Sequence, residues 1–173
     1  MDVLPDKRVS ISRPFTNTGL DFAGRFDIKS VRGRGSTTTK GYVCVFLCFA
    51  TKVIHLEAVS ELTSNAFLAA FSRFVSRRGC SPNVYSDNGK NFVGAAKIIA
   101  QDSLKQLSPE PKQHIPCIMS FGISFHQERL IWEDSGSPQW KVLSSILKKV
   151  ASNFKYTFEE FSTLLSRHAW TPV

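Results

Sequence analysis

The sequence lacks an apolar run long enough to cross a lipid bilayer. Its longest run, YVCVFLCFA at residues 42–50, is less than half of the roughly 20 residues that a spanning helix needs. No apolar stretch follows the first Met, so no secretory signal is expected. We therefore expect a protein that does not enter a membrane and that acts in an intracellular, reducing environment.

Cysteine is also scarce and is not arranged for metal binding. The four cysteines form no CxxC pair and no Cys/His set with the spacing of a zinc site. Cys44 and Cys48 fall on one face of the apolar run, and unpaired cysteines in such positions are usually buried. The sequence therefore predicts that both are buried free thiols.

Acidic residues are few relative to basic ones. The 173 residues include 22 Lys and Arg against 14 Asp and Glu, which gives a formal net charge of +8. Residues 1–100 hold 14 of the basic residues and 7 of the acidic ones. This excess favours an acidic partner, with nucleic acid before a membrane surface. The length and the 42% hydrophobic fraction are typical of a single globular domain.

The apolar periodicity of the first hundred residues predicts the order β-β-β-α-β-α. Strands are expected at 15–28, 42–50 and 51–59, and the link Ala50-Thr51 is expected to join the last two as a hairpin. A helix with Ser60 or Thr63 as N-cap should end at Gly79. The strand at 81–87 returns through this helix, so it should run parallel beside the first strand. A second helix is expected at 91–107.

The chain beyond residue 107 has a weaker pattern. A short strand is expected around 123–125, helical spacing returns at 142–154, and another helix begins after Thr157, with Glu160 at the capping-box position. Residues 1–14, which contain two prolines, are expected to form an arm or linker. The fold class predicted is α/β, a mixed central sheet of three antiparallel strands and then parallel strands, flanked by helices.

Two aspartates have positions that suit metal binding. Asp21 lies inside the first strand, and Asp87 follows a later strand in the segment NVYSDNGKNFVGA. An ordinary turn at Asp87 and a solvated edge strand at Asp21 are the plainer interpretations. If the crossover brings the two strands together, however, the carboxylates repel each other unless a cation lies between them. A hard dication such as Mg²⁺ or Mn²⁺ would fit this donor set.

Three segments resemble the integrase catalytic core of BEL/Pao-type retrotransposons. They are RPFTNTGLDFAG, FLCFATKVIHLEAVSELTSNAFLAAFSRFVSRRG and YSDNGKNFVGAA, which appear in the same order as in that family. The resemblance implies an RNase H-like fold and a catalytic set of two aspartates, matched by Asp21 and Asp87, and one glutamate. It also implies two Mg²⁺ or Mn²⁺ ions, DNA end processing and strand transfer, element ends and target DNA as partners, a homo-multimer, and action in the nucleus.

The third acidic ligand of that family has no clear counterpart. Residues 127–146 depart from the family pattern, although a Trp-Glu pair survives at Trp132-Glu133, 46 positions after Asp87. Glu133 is the candidate for the third metal ligand, and Glu128 is a second one. The alternative is a copy without this ligand, an RNase H-like nucleic-acid-binding remnant. The core-like domain is expected to span residues 15–173, with a truncated C-terminal part.

Several polar and aromatic residues are interpreted either as nucleic-acid contacts or as structural residues. Arg32, Arg34 and Lys40 in the Gly-rich loop, and Lys90 and Asn91 beside Asp87, are the candidates for nucleic-acid contacts; a solvated surface is the alternative for the loop. The arginines near the end of the first helix, Arg73, Arg77 and Arg78, are attributed to a favourable interaction with the helix dipole. His55, His126, Tyr85 and Phe92 are interpreted as structural residues.

Overall fold

The computed structural model describes residues 12–30, 37–87, 89–105, 124–127, Leu147 and 155–168. The elements in this part of the chain are β1 Asn17–Lys29, β2 Thr38–Cys48, β3 Ile54–Val59, α1 Ser64–Arg78, β4 Asn83–Ser86, α2 Lys90–Lys105, β5 Ser124–Gln127 and α3 Phe158–His168. The predicted order of elements is confirmed. The helical spacing at 142–154 lies outside the described residues except for Leu147, which is buried in the core.

The strands form one mixed sheet in the order β3-β2-β1-β4-β5. β1, β2 and β3 pair antiparallel, whereas β4 is parallel to β1 and β5 is parallel to β4. The crossover through α1 therefore returns the chain beside β1, as right-handed crossover connections favour. β1 is the central strand of the sheet.

The ends of the helices follow their capping residues. The Thr63 side chain accepts a hydrogen bond from the backbone N–H of Ala66 at 3.2 Å, and Gly79 ends α1 with a φ of 85°. Thr157 and Glu160 form the predicted capping box of α3, with bonds of 3.0 and 3.3 Å. No helix in the described ranges is both long and apolar enough to cross a bilayer.

Each face of the sheet carries its own core. Leu20, Phe46 and Val84 pack against α1 and α2 on one face, while Val45, Leu56 and Tyr85 pack with α3 on the other. Phe92 of α2 is also buried, so its predicted structural role and that of Tyr85 are confirmed. All six residues of β3 are buried although β3 is an edge strand among the described elements, because helices cover both of its faces.

β1 contains a bulge that changes which residues face each core. Between the pairs Ala23↔Val43 and Phe26↔Gly41, β1 advances three residues while β2 advances two. Gly24 has a φ of 81°, a left-handed conformation that glycine adopts most readily. Phe26 therefore packs on the α3 side, opposite to Leu20. The alternation of a regular strand, which would put Leu20, Phe22 and Phe26 on one face, therefore does not hold beyond the bulge.

The link between β2 and β3 is longer than the sequence suggested. It spans residues 49–53 instead of Ala50-Thr51 alone, and Lys52 adopts a left-handed φ of 60° within it. The Lys52 N–H donates to the Cys48 carbonyl at 3.0 Å. The hairpin itself is confirmed.

Cys44 and Cys48 are buried free thiols, as predicted. The Cys48 sulfur accepts backbone hydrogen bonds from Phe15 at 3.2 Å and Thr51 at 3.4 Å, so it fixes the entry to β1 against the end of β2. Cys80, which follows α1, is disulfide-bonded.

Candidate active site

β1 pairs in parallel with β4, and both candidate aspartates follow the paired residues. The register pairs Asn17 with Asn83 and ends with Gly19 and Tyr85. Asp21 and Asp87 each come two residues after this last pair, so a continuation of the register would put them at the same height, at the carboxyl end of β4. Chemistry-bearing residues commonly gather at this edge of an α/β sheet.

Asp87 lies directly after β4 and is half-buried. One carboxylate oxygen accepts a hydrogen bond from the Gly89 N–H at 3.0 Å, which is the bond of an Asx-turn. The Gly89 carbonyl in turn accepts from Phe92 and Val93, each at 3.0 Å, and starts α2. The turn therefore exists, and it also fixes the carboxylate at the sheet edge.

Asp21 is half-buried inside the central strand. One of its oxygens accepts the N–H of Phe22 at 2.7 Å. Its β2 partner Val45 and its neighbour Ala23 both belong to the α3-side core. The interpretation of Asp21 as a residue on a solvated edge strand is therefore wrong, because β1 has a strand on each side.

Aromatic packing connects the elements that carry the two aspartates. Phe22, which follows Asp21, stacks on Phe92 of α2 with centroids 5.0 Å apart and an interplanar angle of 13°. Phe67 of α1 meets Phe92 edge-on, also at 5.0 Å. Because β1, α1 and α2 share this cluster, movement of Asp21 relative to the Asp87 turn would disturb buried contacts.

The predicted nucleic-acid contacts fall into separate groups. Lys90 is exposed and Asn91 is half-buried in the first turn of α2, immediately after the Asp87 turn. Lys40 is exposed on β2, where it pairs with Asp27 beyond the bulge, so it belongs to a different part of the surface. Arg32, Arg34 and the acidic candidates Glu128 and Glu133 lie outside the described residues.

The donor set at the sheet edge suits a hard cation. The carboxylates of Asp21 and Asp87 supply the oxygen ligands that Mg²⁺ and Mn²⁺ prefer. Within the described ranges, no group of three or more His, Cys, Asp or Glu side chains is placed to hold a metal ion. The two aspartates would therefore supply part of a coordination shell.

Gly89 offers a test of how tightly the Asp87 carboxylate is placed. A Cβ at this position would lie 2.9 Å from Asp87 Oδ1 and 2.8 Å from Asn91 Oδ1. Both atoms are ends of side chains, so they can move at little cost to the fold. We expect Gly89→Ala to weaken Mn²⁺ binding at least fivefold in calorimetric titration, with the free energy of unfolding lowered by no more than about 1 kcal/mol.

Gly94→Ala, in the helix that follows Gly89, is the control. Its Cβ would lie 2.3 Å from Ser64 Oγ, which donates to the Asn91 carbonyl, so this change disturbs the packing of α1 on α2 but adds no atom beside the Asp87 carboxylate. A Gly89→Ala protein that binds Mn²⁺ like the wild type would contradict the proposed placement.

A second polar cluster lies on the α1 side of β3. Glu57 has 1% of its side chain exposed, and it binds His55 Nε2, Arg73 Nε and Arg77 Nη1, each at 2.8 Å. Arg78 Nε donates to His55 Nδ1 at 3.2 Å. The attribution of these three arginines to the helix dipole alone was incomplete, because a buried carboxylate holds two of them directly.

Both ring nitrogens of His55 have a hydrogen-bond partner. Arg78 Nε donates to Nδ1 at 3.2 Å, and Nε2 lies 2.8 Å from Glu57 Oε1. His55 is 2% exposed and lies near the rings of Phe46 and Phe74, in agreement with its predicted structural role. His126 also has a structural contact, as it stacks on Tyr85 with centroids 4.7 Å apart.

The Glu57 network makes folding stability depend on pH. Burial acts to raise the pKa of Glu57, but the hydrogen bonds from His55 and Arg73 and the charge of Arg77 hold it below its ordinary value of 4.5. A carboxyl group with a depressed pKa in the folded state stabilises the protein above its unfolded pKa, and this stability is lost as the pH falls through the folded value.

We therefore expect the stability difference between the wild type and Glu57→Gln to shrink as the pH falls from about 6 to about 3. Urea denaturation at several pH values measures it. Glu61→Gln removes an exposed carboxylate two positions after β3 and should keep the wild-type pH dependence. A constant difference between wild type and Glu57→Gln would rule out the linkage.

The sheet order, the parallel pair that carries the aspartates and the flanking helices define an integrase-like RNase H fold. The chain is similar to the catalytic core domain of the HTLV-2 integrase in complex with magnesium. The dimeric form of that core gives a TM-score of 0.55 at 12% identity, covering 91% of this chain and 86% of the other. The trimeric form gives 0.53 at 13% identity, covering 91% and 84%. No protein-family model and no curated protein matches the chain.

Proposed function

We propose that this chain is the catalytic core of a retroelement integrase of the BEL/Pao type, which processes DNA ends and joins them to target DNA with divalent metal ions. The observation that carries the proposal is the parallel β1–β4 pairing, whose last pair is Gly19 with Tyr85, since Asp21 and Asp87 each follow that pair by two residues. The resemblance of three segments to that family and the fold shared with the HTLV-2 core support it.

Each residue of the proposed site would either hold a metal ion or contact DNA. Asp21 and Asp87 would hold the metal ions, and the Gly89 N–H would keep the Asp87 carboxylate oriented. Lys90 and Asn91, in the first turn of α2, would contact a DNA phosphate next to the metals, where the helix N-terminus also favours an anion. Bound in this way, the metals would activate the attacking oxygen and stabilise the leaving one.

The third acidic ligand is proposed from the stretch that follows β5. Gln127 is paired with Ser86, the residue before Asp87, and Glu128 is the next residue of the sequence after Gln127. Glu133 follows five positions later within the Trp-Glu pair. Glu128→Gln and Glu133→Gln should therefore be assayed side by side, and the substitution that removes metal-dependent cleavage identifies the ligand.

The partners proposed are element-end DNA, target DNA and further copies of the chain, with the nucleus as the place of action. The net charge of +8 agrees with a polyanionic partner. The HTLV-2 cores were solved in complex with magnesium, in dimeric and trimeric forms, which supports the proposal of a metal-dependent multimer. Arg32, Arg34 and Lys40 are proposed as further DNA contacts.

A strand-nicking and strand-transfer assay tests the proposal. The wild type should cut and join labelled duplex DNA in Mn²⁺ or Mg²⁺, should lose this activity in EDTA, and should lose it on Asp87→Ala. Activity that survives Asp87→Ala would remove the site assignment.

A nucleic-acid-binding remnant without catalysis is the second candidate. The observation that favours it is the absence, in the described part of the chain, of a third acidic side chain grouped with the two aspartates. Duplex binding without nicking in any metal would support this candidate.

A further inference from the structure

The end of α1 carries an arginine cluster whose positive charge is only partly neutralised by its buried partner. Three guanidinium groups, those of Arg73, Arg77 and Arg78, gather around Glu57 and His55. Arg73 and Arg77 share the single carboxylate of Glu57, so this pair of arginines carries one positive charge more than Glu57 neutralises. Glu57 is the ion-pair partner that the described residues provide for both Arg73 and Arg77.

Two of these arginines are held in place and still reach solvent. Arg73 donates from Nε to Glu57 at 2.8 Å and from Nη2 to the Ala58 carbonyl at 2.7 Å, with 38% of its side chain exposed. Arg77 donates to Glu57 at 2.8 Å, with 46% exposed. The buried carboxylate thus fixes cations at the surface, which lowers the conformational entropy that binding an anion would cost.

Arg13 brings a fourth guanidinium to the same end of the helix. Its Nη2 donates to the Cys80 carbonyl, and the group lies beside Gly79, which ends α1. The four arginines together are called the α1 arginine surface below. Burial, and then the charge of Arg77, lower the pKa of Arg78.

This surface is separate from the aspartate pair. The Ser64 hydroxyl at the start of α1 donates to the Asn91 carbonyl, next to the Asp87 turn. Arg77 lies thirteen residues further along α1, a distance of about 20 Å at the helical rise per residue. That distance corresponds to roughly six base pairs of duplex DNA.

The chemistry of the surface favours a polyphosphate partner over a protein. Arginine forms forked, bidentate hydrogen bonds with phosphate oxygens. A protein interface would need an apolar centre, but the large exposed apolar side chains of the described residues are Leu62 and Phe158, which lie at the starts of α1 and α3. We infer that the α1 arginine surface is a second site for the DNA backbone, and that it binds duplex DNA without regard to sequence. This goes beyond the proposed catalytic function, since it requires neither metal nor cleavage.

Fluorescence anisotropy with a mixed-sequence duplex of about 20 base pairs, in EDTA, tests the inference independently of catalysis. Each phosphate contact adds about −0.9 to the slope of log K against log salt. Arg77→Gln should therefore make this slope shallower by about 0.9, so that between about 50 and 200 mM salt the wild type loses about 3.5-fold more affinity than the variant. Arg77→Lys keeps the charge and should retain the wild-type slope.

Arg167→Gln is the matched control, because it removes one exposed arginine from α3 and should leave the slope unchanged. If Arg77→Gln and Arg167→Gln change the slope equally, the effect reports only the net charge of the protein, and the inference is wrong. The inference is also wrong if Arg77→Gln does not change the slope.

Two further measurements keep the test decisive. If Arg77→Gln does not fold, the double variant Glu57→Gln/Arg77→Gln removes Arg77 together with the buried carboxylate, while Arg73 keeps its bond to the Ala58 carbonyl, and the same slope change is expected from it. Polyglutamate of equal charge serves as a competitor. If it displaces an Arg77-dependent complex more effectively than duplex DNA does, the surface binds acidic protein and the inference is wrong.

Discussion

Asp87→Asn is expected to lower metal-dependent DNA cleavage by about 10³-fold, because a bound metal supplies several kcal/mol of transition-state stabilisation and each 1.36 kcal/mol is tenfold in rate. Asp21→Asn should have an effect of the same size, since both carboxylates belong to the proposed metal site. Both substitutions keep the shape of the side chain, so the loss reports charge and not packing.

The same variants give a second, activity-free readout. Without metal, two neighbouring carboxylates repel each other, so Asp87→Asn should raise the melting temperature of the metal-free protein slightly. Added Mn²⁺ should stabilise the wild type by mass action and should no longer stabilise either variant.

Asp27→Asn is the control for both measurements. It makes the same chemical change on β1, the strand of Asp21, at an exposed position beyond the bulge. It should leave both the cleavage rate and the Mn²⁺-induced thermal shift as in the wild type. A thermal shift that persists in Asp87→Asn would show that the metal binds elsewhere.

Phe74→Ala is expected to have the largest effect on stability. Phe74 has no exposed surface and stacks on Phe46 with centroids 4.2 Å apart and an interplanar angle of 5°. It also meets Phe15 edge-on at 5.2 Å and lies 5.4 Å from the His55 ring. Truncating a buried Phe costs about 3–5 kcal/mol, which would lower the melting temperature by roughly 6–20 °C for a chain of this size.

The control for Phe74→Ala is the same substitution at Phe158, which is 37% exposed at the start of α3. Because little apolar surface is lost there, Phe158→Ala should lower the free energy of unfolding by no more than about 1 kcal/mol. Chemical denaturation measures both. Comparable losses at the two positions would mean that the aromatic cluster around Phe74 contributes no more than an ordinary surface contact.

The sequence was sufficient to predict the features that follow from local rules. The capping residues Gly79, Thr157 and Glu160 were identified, and Thr63 was one of two N-cap candidates with Ser60, because capping chemistry acts within one helical turn. The parallel placement of β4 beside β1 was also predictable, because a crossover connection of fixed handedness leaves few choices for β4. The capping residues depend only on neighbouring residues, and the position of β4 depends only on the topology of the crossover.

Other features depend on how elements are oriented in space, and the sequence does not encode them in any single segment. His55 and Glu57 lie two residues apart on β3, and Arg73 and Arg77 lie four residues apart on α1. The contact between them depends on how α1 is rotated over the sheet. A glycine such as Gly24 can adopt the left-handed φ of a bulge, but whether a bulge forms there depends on the register with β2. The third acidic ligand could not be assigned because its segment departs from the family pattern.

The bulge at Gly24 also determines which changes in length the chain can tolerate. The bulge lies after Asp21 in the chain. A residue gained or lost in the part of the β1–β2 pair beyond Gly24 can therefore change the bulge without turning Asp21 to the other face of the sheet. β4 has four residues and no bulge among its described pairs. A single insertion within it would send the Asp87 side chain to the opposite side of the sheet. An insertion or deletion is therefore more easily tolerated near Asp21 than near Asp87.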